Sequence, residues 1–128
     1  MKQLVYTAGD GVCKVEMTVS LTGAGVVAQL YGGERPHVGA VALSQPRPSR
    51  SGSGISCNTS VLPLLGHKDD EIAKPVAEEL AKAFDQPVVV ITGLHVDNAD
   101  AKTIAALTEN CRQVARLCVE QMELYQTL

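Results

Sequence analysis

Tryptophan is absent from these 128 residues and aromatic side chains make up only 3%. Tyr6, Tyr31, Phe84 and Tyr125 are the whole set, so a ligand site built on stacked rings has few residues to draw on. No apolar run approaches the roughly 20 residues that span a bilayer. Met1-Lys2-Gln3-Leu4 lacks the apolar core of a secretory signal. Membrane insertion and export are not expected, and the cytoplasm is the expected location. Basic blocks are also missing: 11 Lys and Arg against 14 Asp and Glu leave a net charge of −3. A phosphate-backbone footprint is therefore not indicated, and nucleic acid is disfavoured as a partner.

Cysteine is sparse. Cys13, Cys57, Cys111 and Cys118 form no C-x-x-C pair, and Cys111 and Cys118 lie two helical turns apart, too far to bridge. They read as reduced core residues. G-x-S-x-G, H-E-x-x-H and a Gly-Lys-Ser/Thr phosphate loop are all absent.

The chain does contain enough apolar material, 45%, to bury one core, and residues 1–128 read as a single domain. Cys13, Val15, Met17, Val19 and Leu21 alternate with Lys14, Glu16, Thr18 and Ser20, predicting a half-buried strand. A strand over Gln3–Ala8 precedes it across Gly9-Asp10-Gly11, and Val26–Tyr31 follows it. His37–Ser44 is expected as a fourth strand of this meander, covered on both faces because Val38–Leu43 are all small or apolar. Gln45–Gly54, rich in Pro, Ser and Gly, reads as a mobile loop before a fifth strand over Ile55–Leu62. Ile72, Val76, Leu80 and Phe84 predict a helix, and Val88–Leu94 a sixth strand. A final helix is expected from about Ala99 to Tyr125. Its seam of Ile104, Leu107, Cys111, Val114, Cys118, Met122 and Tyr125 serves either this chain's own sheet or a second copy.

Glycine and histidine recur where these elements meet. His37 opens a strand, His67 follows Gly66, and His95 closes a strand before the last helix. At that junction Asp97, Asn98 and Asp100 fit two readings. Free helix N–H groups can bind an anion there, or these residues are ordinary caps. His67 and His95, with Asp97 and Asp69 or Asp70, have the donor types of a divalent-metal site. Such a site would suit a metal-dependent enzyme acting on a small phosphorylated or amide substrate. Cys57 near His67 is a possible thiolate pair, although its alternating strand position favours burial. Gly32, Gly33, Arg35, Ser51 and Ser53 offer N–H, hydroxyl and guanidinium donors for phosphate.

Three stretches taken together, Gly32–Val41, Leu64–Glu71 and Thr92–Ala99, resemble the small D subunits of gallate and hydroxyaryl decarboxylases, which are prenylated-flavin chaperones. The resemblance implies an α+β fold like that of proteasome assembly chaperones, a two-layer, mainly antiparallel sheet of about six strands packed by two helices. It implies a homodimer without catalytic activity that binds reduced prenylated FMN as cargo. It also implies a partner, a prenylated-flavin-dependent decarboxylase, into which the cargo is loaded; a purely structural role beside that enzyme is the alternative. On this resemblance Gly32, Gly33, Arg35, Ser51, Ser53 and Asn98 are expected near the flavin phosphate. His67, His95 and Asp97 are expected near its polar edge, with Tyr31 stacking.

Overall fold

The computed structural model describes residues 1–64 and 69–127, with side chains described as far as residue 124. Its strands are β1 (Lys2–Ala8), β2 (Val15–Leu21), β3 (Val26–Gly33), β4 (Ala40–Pro48), β5 (Ile55–Pro63) and β6 (Val88–His95). Helices α1 (Asp70–Phe84) and α2 (Ala101–Thr127) follow β5 and β6. The six strands form one sheet in the order β1-β2-β3-β6-β4-β5. Every neighbouring pair is antiparallel except β3 and β6. The architecture is thus the expected two-layer one.

The alternation in β2 does what its period demands. Val15, Met17 and Val19 are fully buried against the helices, while Glu16 lies exposed on the other face. Val26, Ala28 and Leu30 of β3 and Val88 and Val90 of β6 extend this layer, which α1 covers with Ala73, Ala77 and Leu80. Burying a side chain such as Leu80 contributes about 2 kcal/mol. The α2 seam is largely spent on its own sheet: Leu107, Cys111, Val114 and Cys118 are buried, and among its members with described side chains only the first, Ile104, is more than half exposed. Burial pushes the Cys111 thiol up to about 12 and the Cys118 thiol up to about 11. Both therefore behave as small hydrophobes.

Three expectations are corrected. Cys13 lies in a short 3-10 turn, Gly11–Cys13, so β2 begins at Val15. The four-strand meander stops at three, because β6 inserts between β3 and β4. β4 starts three residues late and runs on to Pro48, with only one face covered: Ala40, Ala42 and Ser44 are buried, Leu43 exposed. Pro46 and Pro48 are tolerated because β6 pairs with β4 only as far as Ser44. Beyond that point one side of β4 is an edge that needs no donor. Pro75 lies within α1, in its second turn, where it removes one backbone hydrogen bond.

Candidate functional site

Register decides which residues can meet. Gly33 at the end of β3 lies beside His95 at the end of β6, and Ala40 at the start of β4 lies opposite Thr92. The β3–β4 loop must therefore cross the carboxyl end of β6, and it does so at very close range. A Cβ on Gly93 would lie 1.4 Å from the His37 carbonyl oxygen, and one on Gly33 would lie 2.2 Å from the His95 carbonyl oxygen. The Glu34 N–H donates to that His95 carbonyl at 2.6 Å, and the Gly39 N–H donates to the Thr92 carbonyl at 2.7 Å.

Asp69 anchors the loop from the helix side. Its carboxylate fills the space a Gly39 side chain would need, with Oδ2 1.9 Å from the ideal Cβ position. Oδ2 also lies 3.3 Å from His37 Nε2, while Oδ1 accepts the Leu94 N–H at 3.0 Å. Only 6% exposed, Asp69 ties the start of α1 to β6 and to the loop at once. The His37–Asp69 pair was not foreseen from sequence. Its visible trace was the flanking glycines, which mark where a carboxylate and a backbone needed room.

Above this buried layer sits an exposed cluster. Arg35 Nη2 is in contact with Asp97 Oδ1 and lies 2.8 Å from His95 Nε2. His95 Nε2 is in turn 2.8 Å from the same carboxylate oxygen. One ring nitrogen cannot accept from Arg35 and donate to Asp97 together, so the tautomer chooses between them. The His95 hydrogen bond, followed by Arg35, holds the Asp97 carboxyl below its ordinary range. Exposed pairs of this kind are weak and exchange partners readily, so an arriving anion can compete with Asp97 for the guanidinium.

Three backbone donors around the β6–α2 junction are committed. Asp97 N–H donates to Glu34 Oε1 at 2.9 Å, Leu94 N–H to Asp69, and Thr103 N–H to Asp100 Oδ1 at 2.8 Å. The capping reading therefore holds for Asp100, whose carboxyl is lowered first by that bond. Asn98 instead turns the chain at φ 54°, ahead of the helix. Arg35 and His95 are the side chains at this junction with donors that an anion can meet.

Three clefts lie around this end of the sheet. Tyr31, Gly32 and Gly33 line the first with Lys14 and Pro36. Pro36 also borders the second, which Arg35, His37 and His95 share. His95 is in turn a wall of the third, a 410 Å³ cleft between α1, β6 and α2. Of the residues expected at the site, Tyr31, Gly32, Gly33, Arg35, His95 and Asp97 are thus gathered here, with Asn98 next in chain. Ser51 and Ser53 are not. Their turn leaves the far end of β4, nine residues or about 27 Å of strand away. His67 lies outside the described residues. Cys57 Sγ faces the Glu78 carbonyl at 3.7 Å. Among the described residues no group of three His, Cys, Asp or Glu side chains is placed to hold a metal ion, and no helix is long and apolar enough to cross a membrane.

A model of the prenylated flavin chaperone LpdD-like domain matches residues 9–123, which takes in all three clefts. The chain belongs to this family. No curated protein matches this LpdD-like chain. Its fold recurs in the crystal structure of a chaperone complex for yeast 20S proteasome assembly. There the TM-score is 0.60 at 16% identity, over 96% of this chain and 95% of that one.

Proposed function

We propose that this LpdD-like chain is a non-enzymatic carrier that binds reduced prenylated FMN and delivers it to a prenylated-flavin-dependent decarboxylase in the cytoplasm. The observation that carries this reading is the cleft that Arg35 and His95 line together, in a member of a prenylated flavin chaperone family. Arg35 exchanges Asp97 for the flavin phosphate, Lys14 adds a second cation, and Tyr31 offers its ring to the isoalloxazine. Asp97 then acts as a competitor that keeps the guanidinium aimed when no cargo is bound. An exposed, exchangeable cluster suits a carrier, which must give up its ligand. The reading includes pairing of two copies, which light scattering of the purified protein measures.

Anaerobic titration with reduced prenylated FMN tests the proposal. Saturable binding is expected, and Arg35→Ala should weaken it at least about tenfold by removing a charge-assisted contact. Transfer is read by mixing the loaded protein with an apo-decarboxylase and following the flavin spectrum of the recovered enzyme. An active, folded preparation that never takes up the flavin would sink the idea.

A further inference from the structure

Both helices lie on one face of the sheet, and the strand side chains buried beneath them are those in phase with Val15, Ala28 and Val90. Side chains one step out of phase point to the other face, which carries neither helix. A face that met only water would be polar. This one is not: Val27 of β3 lies beside Val89 of β6, and Val89 lies opposite Leu43 of β4. Two residues along, Ile91 of β6 lies opposite Val41 of β4, which in turn lies opposite Leu62 of β5. Six aliphatic side chains thus form two adjacent rows across four strands. Leu62 is 73% exposed and Leu43 37%, and the other four are partly exposed. Within β6 the run Val88-Val89-Val90-Ile91 is apolar on both faces, the pattern of a strand covered on both sides.

The charges on this face indicate what covers it. Its strand positions hold one acid, Glu16 on β2, and one base, Arg47 on β4, in a chain that is 20% charged. An apolar centre so depleted of charge has the composition of a protein interface. The two charges are also placed symmetrically about that centre. Glu16 stands one strand outside Val27 and, opposite Tyr31, four residues along towards the Arg35 end. Arg47 stands one strand outside Val89 and four residues beyond Leu43 towards the other end. Asn58 Oδ1 accepts the Arg47 Nε–H at 2.8 Å and holds the guanidinium on this face. A two-fold axis in the contact plane, through the Val27–Val89 pair and perpendicular to the Glu16–Arg47 diagonal, sets each copy's acid on the other's base. We propose that a second copy of this chain packs on the uncovered sheet face, with the two aliphatic rows at the centre and Glu16 meeting the partner's Arg47. Strands about 4.8 Å apart and about seven residues long at about 3.3 Å each give the six-stranded face a footprint of roughly 650 Å² before side-chain relief, near the roughly 800 Å² per partner of a stable complex. The inference rests on the pairing of copies included in the reading above and assigns its surface. Because Glu16 also lines the Tyr31 cleft, each such cleft is walled in part by the other copy.

Sedimentation velocity on the full chain measures the dimer dissociation constant, and circular dichroism establishes that each variant is folded. The unaltered chain should be a dimer at micromolar concentration. Leu43→Glu should weaken the dimer at least about hundredfold by burying a charge from each copy at the centre of the contact, and the more exposed Leu62→Lys at least about tenfold. Glu16→Arg and Arg47→Glu should each weaken it about tenfold by setting like charges together, and combining the two should return it to within about threefold of the unaltered chain. Ile104→Asn, on the exposed start of α2, should leave it unaltered. A dimer that survives both Leu43→Glu and Leu62→Lys overturns the inference, as does one lost with Ile104→Asn or one that the double charge exchange fails to restore. A monomeric unaltered chain overturns it too, while the carrier reading still stands or falls by its own flavin titration.

Discussion

Glycine means different things at the two ends of this sheet. At the end carrying Arg35 and His95, Gly33, Gly39 and Gly93 are each pressed against other atoms, and an added Cβ would fall 2.2 Å or less from one of them. At the opposite end Gly23, Gly52 and Gly54 have nothing within 4 Å and are there for their positive φ, between 79° and 90°. The first set makes room, Gly33 at a positive φ as well, whereas the other only makes turns. Crowding by backbone and by a buried carboxylate is what fixes the recognition loop, so the candidate site rests on a stiff base while its charged rim remains exchangeable.

Substitution separates the two kinds. Gly93→Ala should be the most damaging change, costing about 3 kcal/mol or more in urea unfolding, because the His37 backbone cannot retreat without lifting the loop off β6. Asp69→Ala should cost about 2 kcal/mol by leaving the Leu94 N–H and His37 without their carboxylate partner. It should also weaken flavin binding, which a purely far-end change would not. Gly52→Ala should cost only about 1 kcal/mol, from left-handed strain alone, and leave flavin affinity unaltered. If Gly52→Ala proved as costly as Gly93→Ala, the distinction between the two ends would collapse.

The sequence displays β2, α1 and α2 clearly because each buries one face at its own period, as Val15, Met17 and Val19 do. It does not display that β6 pairs in parallel with β3, since a partner leaves no mark on a strand's own alternation. That one pairing is why the expected meander failed, whereas Ser51 and Ser53 ended at the wrong end for Arg35 because β4 runs on to Pro48 before their turn. Gly32–His37 and Gly93–Asp97 were recognisable as a pair only through family resemblance, and the structure supplies the physical link, the Gly33–His95 register. Asp69 was read as a possible metal ligand because its type was visible while its burial was not.

The parallel pairing of β3 with β6 joins positions 62 residues apart in the chain, Gly33 with His95 and Arg35 with Asp97. Closing so long a loop costs entropy, and the chain that forms it, β4, β5 and α1, must be placed beyond β6 and over the sheet. Contact order alone predicts that the two halves of the candidate site come together late in folding. A chain in which β3 and β6 are unpaired presents neither half in register, so on the carrier reading a reactive cargo is accepted only by molecules that have finished folding.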